Sequence, residues 1–203
     1  MLIDPAETSI RDMYQHMIRA ITPRPIAWVS TISDDGIVNL APFSFFSGVS
    51  ANPPSVVFSV ANRRDGSKKD TLQNIEANRQ FVVNVVSRVQ AEAMNQTSAE
   101  YPPDIDEFQA AGLTAVPATH VTPPRVAGAP IQMECELMQV VPVGDGPAAG
   151  NLVIGRILTM HVDDQVVDAN GKIDPAKVDS IGRMGGASYT TTRDRFDLDR
   201  PTP

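Results

Sequence analysis

The turn Ser33-Asp34-Asp35-Gly36 constrains this chain more than any other short stretch, because it separates two runs that suit only strands. Before it, Ile26-Ala27-Trp28-Val29-Ser30-Thr31-Ile32 is apolar and β-branched, and after it comes Ile37-Val38-Asn39-Leu40. Branched side chains fit a pleated sheet, and a four-residue polar turn leaves no room for a helical crossover, so the two runs form an antiparallel hairpin. The same grammar recurs downstream. Ser55-Val56-Val57-Phe58-Ser59-Val60 reads as a buried strand, residues 71–78 as a short helix, and Phe81-Val82-Val83-Asn84-Val85-Val86 as the next strand. Residues 88–97 and 106–111 carry helical patterns, while Pro117, Pro123, Pro124 and Pro130 mark 117–130 as an irregular packed loop. Ile131, Met133, Cys135 and Leu137 then alternate with Gln132, Glu134 and Glu136, the period of a half-exposed strand. Its antiparallel partner is expected over 152–162, across Gly144-Asp145-Gly146-Pro147. Hairpin-like connections outnumber helical ones. The prediction is a mainly β fold, an antiparallel β-barrel of six or more strands with helical insertions, in one domain over 1–203, rather than a doubly wound parallel sheet.

Charge and motif content exclude several functions. With 24 Asp and Glu against 17 Lys and Arg, the formal charge is -7, which argues against a nucleic-acid binder, since duplex affinity needs a broad basic face. The glycines at 182, 185 and 186 do not open a helix after a strand in the dinucleotide-binding order, and there is no Walker loop and no nucleophile elbow. His16, His120 and His161 stand apart from one another and from the only cysteine, so no metal site is expected. Cys135 itself reads as a small core residue, and a lone cysteine suits a cytoplasmic protein. No apolar run approaches the roughly 20 residues that span a bilayer, and the N-terminus has no signal-peptide pattern, so a soluble protein is expected.

Two segments carry chemistry. In Arg63-Arg64-Asp65-Gly66-Ser67-Lys68-Lys69-Asp70-Thr71-Leu72, four cations fall within seven residues of an otherwise acidic chain, just before a predicted helix. Unpaired N–H groups in the first helical turn and the helix dipole favour an anion there, and Ser67 and Thr71 add hydroxyl donors, so the loop suits a phosphate. The same residues also suit a helix capped by Asp70 or Thr71 with solvated lysines. The second segment, residues 39–54, holds Phe43, Phe45 and Phe46 among small polar residues. Pro42, Gly48, Pro53 and Pro54 are expected to break any regular element through it, leaving either a hydrophobic loop over the barrel mouth or a bed for a planar ring.

Thr22-Pro23-Arg24-Pro25-Ile26-Ala27-Trp28-Val29-Ser30-Thr31, Asn39-Leu40-Ala41-Pro42-Phe43-Ser44-Phe45-Phe46, Pro53-Pro54 and Lys69-Asp70-Thr71-Leu72-Gln73-Asn74-Ile75 together resemble the flavin reductase-like family of FMN-binding split barrels. The likeness continues through Asp106-Glu107-Phe108, Ala111-Gly112-Leu113-Thr114, Pro124-Arg125-Val126 and Arg183-Met184-Gly185-Gly186 with Tyr189. It implies a six-stranded antiparallel barrel, a homodimer, and FMN near the subunit interface. By resemblance the FMN phosphate belongs at Ser67, Lys69, Asp70 and Thr71, and the flavin ring near Trp28, Asn39, Ala41, Ser44, Phe46 and Ser47. Arg24 could reach a phosphate or a nicotinamide nucleotide, or serve in a surface salt bridge. The resemblance assigns no role to residues 183–189.

The implied activity is hydride transfer from NADH or NADPH to FMN, with no catalytic side chain named because the flavin carries the chemistry. Reduced flavin would either leave for a partner monooxygenase or stay bound. The alternatives are a non-catalytic FMN electron-transfer protein on the same fold, or a scaffold for another phosphorylated ligand.

Overall fold

The structure is a computed structural model and describes residues 1–202. In chain order its elements are α1 (Ile10–Ala20), β1 (Ala27–Ile32), β2 (Val38–Phe43), β3 (Phe46–Ala51), β4 (Pro54–Ala61), α2 (Asp70–Asn78), β5 (Gln80–Val85), α3 (Ala91–Gln96) and α4 (Glu107–Ala110). A small pair follows, β6 (Ala115–Val116) with β7 (Arg125–Val126), then the long β8 (Ile131–Val143) and β9 (Gly150–Val162). The chain continues through α5 (Pro175–Val178), β10 (Ile181–Arg183) and β11 (Tyr189–Thr191).

Seven strands make the main sheet in the order β2-β1-β5-β8-β9-β4-β3, every pairing antiparallel. Its two edge strands are consecutive in sequence, joined only by Ser44 and Phe45. Flat, such a sheet would hold its edges roughly 29 Å apart at the usual strand spacing. Two linking residues reach about 11 Å. The sheet must therefore curl until its two ends approach, and the rings of Phe43 on β2 and Phe58 on β4 pack across that closure with centroids 5.3 Å apart. The mainly β, antiparallel barrel expected from the hairpin grammar is thus present, with seven strands rather than the six implied by the resemblance.

The additional strand corrects the reading of residues 39–54. Pro42 lies inside β2, and Pro54 begins β4 beyond the tight β3–β4 turn. Proline removes one ladder donor, which an interior strand cannot spare, but β2 is an edge strand and Pro54 stands at a strand start. Gly48 sits where the β3–β4 register shifts, so it bends β3 rather than ending it. The proline-rich 117–130 stretch is irregular except where β7 pairs with β6. Helix α1 is absent from the sequence expectation. It begins at the N-cap Ser9, whose Oγ accepts from the Asp12 N–H at 3.1 Å, and it buries Ile18.

Two cores share β1. On one face Ala27 and Val29 join Phe43, Phe58, Phe81, Leu137 and Val153 inside the barrel, where Leu72 and Ile75 of α2 complete the packing. On the other face Trp28 joins Leu40, Met94, Phe108, Val126 and Ile181. The alternation of a strand thus feeds both cores, and β1 is buried throughout most of its length. Phe81 packs so tightly that a Cβ at Gly155 would fall 2.2 Å from its Cζ.

The fully buried Glu134 fixes the loop before β7. Its carboxylate accepts the N–H groups of Thr119 at 2.7 Å and His120 at 2.6 Å, and His161 Nε2 lies 2.5 Å from Oε1. Burial alone would push this carboxyl up, but those hydrogen bonds outweigh it and hold it below the ordinary range. A depressed carboxyl contributes stability above its unfolded value, lost as the pH falls through its folded value. Glu134→Gln is therefore expected to cost about 1–3 kcal/mol at neutral pH, with the gap to the natural chain closing below pH 4.5, as measured by urea unfolding across pH. Gly155→Ala is expected to destabilise by about 1–3 kcal/mol in the same assay, because the enclosed Phe81 ring has nowhere to move.

Candidate functional site

A cavity opens between β2, the start of α2, the segment after α3 and the β10–β11 hairpin. One buried polar group on its wall is the Asn39 carboxamide. Asn39 Oδ1 accepts from Thr71 Oγ1 at 2.7 Å and from Thr31 Oγ1 at 3.3 Å, and its Nδ2 donates to Glu107 Oε1 at 2.6 Å. The other Glu107 oxygen accepts the Leu40 N–H at 3.1 Å, and Asn74 Nδ2 donates to Thr31 Oγ1 at 3.1 Å. All these side chains are buried, and among the described residues no buried side-chain nitrogen or oxygen lacks a partner. Burial pushes the Glu107 carboxyl up, against the opposing pull of its hydrogen bonds to backbone N–H groups and to Asn39.

At the start of α2 the four cations of the basic loop divide their tasks. Arg63 pairs with Asp70 at 2.6 Å, and Lys68 pairs with Glu76 at 2.6 Å on the outside. Arg64 is exposed and lies away from the cavity. Lys69 lines the cavity half-buried, and no ion pair among the described residues takes it in. Burial lowers its pKa, partly offset by the charge of Glu100 across the cavity. Lys69 is also the N-cap of α2 and supplies no side-chain cap, so the first-turn N–H groups of this nine-residue helix keep no side-chain acceptor. An exposed corner with a desolvated ammonium and uncapped N–H groups is suited to a phosphate.

Of the residues singled out from sequence, the structure brings together Asn39, Ala41, Ser44, Lys69, Asp70 and Thr71 on this cavity. Asp70 turns its carboxylate onto Arg63, and the Thr71 hydroxyl is spent on Asn39, so neither side chain is free in the way Lys69 is. The remaining four stand elsewhere. Trp28 is fully enclosed in the second core with its Nε1 donating to Thr97 Oγ1 at 2.9 Å, so its ring has no face toward a ligand in this chain. Ser67 is exposed with its hydroxyl donated to Asp65 at 2.6 Å. Phe46 packs half-buried against the barrel core, and Ser47 is exposed on β3. Arg24 is not a surface salt-bridge residue: it is 3% exposed, and its guanidinium donates to the carbonyls of Ile18, Ile21 and Met184 and to Ser44 Oγ.

Sequence reasoning did not anticipate Tyr14, Asn95, Glu100 or Tyr101 on the cavity wall. The available signal for Tyr14 was Ser9-Ile10-Arg11-Asp12, an N-terminal cap ahead of an apolar stripe at Ile10, Met13, Met17 and Ile18. Among the described residues, no helix is long and apolar enough to cross a membrane.

The flavin reductase like domain matches residues 18–177 of the chain. A protein of Aquifex aeolicus is 42% identical over 183 residues, covering 90% of this chain and 91% of that one. Among solved structures, nitrilotriacetate monooxygenase component B from Bacillus cereus is similar with a TM-score of 0.92 and 35% identity over 98% of both chains. The 2-nitrobenzoate 2-nitroreductase of Pseudomonas fluorescens is similar with a TM-score of 0.87 and 32% identity, covering 100% of this chain and 97% of that one.

The carboxamide at 39 satisfies Thr71 and Glu107 at once, and removing it orphans both inside the protein. Asn39→Ala is expected to lower stability by about 2–4 kcal/mol, checked by urea unfolding without added ligand.

Proposed function

The chain belongs to the flavin reductase-like domain family, and from that premise we propose that it is an FMN-dependent oxidoreductase taking hydride from NADH or NADPH. The observation that carries this reading is Lys69, a half-buried ammonium with no carboxylate partner beside the uncapped start of α2, on a cavity that continues to Ala41 and Ser44. These residues fit a flavin mononucleotide. Lys69 and the first-turn N–H groups would hold the phosphate, and the β2 segment through Ser44 would flank the ring. When bound, FMN supplies a two-electron carrier that no side chain of the protein could replace.

The protein's own residues bind, orient and exclude water. Thr71 and Asn39 tie the phosphate corner to β2, so that the two halves of a bound nucleotide would be held in one register. Ser44, fixed by the Arg24 Nε–H at 3.2 Å, presents a hydroxyl whose direction is set from behind by a buried cation. Such preorganised donors and charge favour an electron-rich reduced ring. Likeness to a monooxygenase component B supports delivery of reduced flavin to a partner monooxygenase, and the homodimer remains part of this reading, with the exposed β3 residues 47–51 available to a second copy.

The test is the flavin absorbance of FMN-supplemented protein, followed without oxygen after adding NADH and then NADPH. Bleaching much faster than that of free FMN is expected with at least one of them. A bound flavin spectrum that neither nucleotide bleaches would overturn the reductase assignment and leave an electron-transfer module. Lys69→Ala is expected to weaken FMN binding about 10- to 100-fold by loss of a charge-assisted hydrogen bond, read by fluorescence quenching of FMN. Affinity for FMN in the natural chain should also fall with rising pH before the ordinary lysine value of 10.5, because burial makes Lys69 easier to deprotonate.

A further inference from the structure

Arg183 on the cavity wall has a second arginine, the enclosed Arg24, paired with it through the backbone. Arg24 and Arg183 exchange backbone hydrogen bonds, N–H to carbonyl at 3.0 Å in one direction and 2.8 Å in the other. No ion pair among the described residues takes in either one. Burial lowers the Arg24 pKa, and the neighbouring Arg183 charge pushes the same way.

The two guanidinium groups are in different states. Arg24 is enclosed, and its donors are used by Ile18, Ile21, Met184 and Ser44. Arg183 is half-buried on the cavity wall, and its one protein hydrogen bond is a long 3.4 Å contact to the Ser188 carbonyl. Its position is nevertheless fixed. The guanidinium lies 4.4 Å from the centroid of the Tyr189 ring, and the Tyr189 hydroxyl donates to Asn95 Oδ1 at 3.0 Å. Stacking on an aromatic face holds a planar cation while leaving its N–H fork unspent. A fixed fork with free donors, repelled by a second cation behind it, is built to receive an anion.

We infer that Arg183, held on Tyr189, binds the pyrophosphate of the nicotinamide dinucleotide that delivers hydride. This rests on the reductase reading above and divides the cavity between two phosphate contacts. Lys69, beside the helix start, serves the resident nucleotide, and Arg183, on a short hairpin next to the exposed turn 186–188, serves the one that must come and go. A transient ligand needs an anchor reachable from solvent, which Arg183 is and Arg24 is not.

The test uses FMN-loaded protein, natural and Arg183→Gln, with Arg183→Lys as the conservative variant. Three quantities are compared: FMN affinity by fluorescence quenching, affinity for NAD+ and NADP+ by calorimetric titration, and kcat/KM for the preferred dinucleotide against 1-benzyl-1,4-dihydronicotinamide, a hydride donor with no phosphate. Arg183→Gln is expected to weaken dinucleotide binding about 10- to 100-fold and to lower the ratio of dinucleotide to benzyl-donor kcat/KM by a similar factor, with Arg183→Lys between. Equal losses with both donors would show a structural role and overturn the assignment. Weakened FMN binding with an unchanged donor ratio would move Arg183 to the resident nucleotide, and unchanged dinucleotide affinity would remove it from the site; either overturns the inference. If neither dinucleotide reduces the natural protein while the benzyl donor does, the reductase reading itself falls.

Discussion

The Asn39 carboxamide is the point on which the cavity depends. Its oxygen draws together a hydroxyl from β1 and one from α2, and its nitrogen engages the buried carboxylate of α4. Each bond contributes only about 0.5–1.5 kcal/mol net, but each unmade one would leave a buried polar group at a cost of about 1–3 kcal/mol. The network therefore specifies one arrangement of four elements more than it adds to stability. Since α2 also delivers Leu72 and Ile75 into the barrel, the placement of Lys69 at the helix start follows from both its apolar face and its polar one.

In a chain so acidic, the cavity wall is balanced in charge, with Arg63, Lys69 and Arg183 against Asp70, Glu100 and Glu107. A minority of the cations meet carboxylates among the described residues, as Lys68 does with Glu76, Arg156 with Glu136 and Arg193 with Asp179. Solvent-exposed pairs of this kind add little. Lys69 and Arg183 stand on the cavity wall outside any such pair, and Arg24, also unpaired, holds Ser44 of that wall. Arg24 meets its burial with hydrogen bonds to three carbonyls and Ser44, whereas Arg183 keeps most of its donors free on the cavity wall.

Much of this was legible in the sequence, and the gaps have physical causes. The hairpin across residues 33–36, α2 and the β8–β9 pair followed from alternation and turn chemistry, which are local properties. Residues 39–54 were misread because Pro42 is tolerated on an edge strand and Pro54 at a strand start, and edge position is a property of the whole sheet. Lys69 was legible from its loop as a cation of the cavity wall, whereas Ser67 was not separable from it, since Asp65 captures the Ser67 hydroxyl within the same turn. Trp28 illustrates the opposite limit: its strand was evident, but the fact that both faces of β1 are covered depends on Met94, Phe108 and Ile181, which lie far along the chain. The mouth residues Tyr14, Asn95 and Tyr101 come from elements whose approach no local pattern records.

The bond from Arg24 to the Met184 carbonyl joins residues 160 positions apart, and the Tyr189 to Asn95 bond spans 94. By contrast, strands β1, β2 and β5 and helix α2 lie within one stretch of about 60 residues and pair with one another. During synthesis this part of the cavity wall can therefore assemble well before the outer wall has been made, and long-range closures of this kind are the slow ones. The last hairpin would then dock onto a half of the cavity already formed, so its order depends on the earlier half and not the reverse.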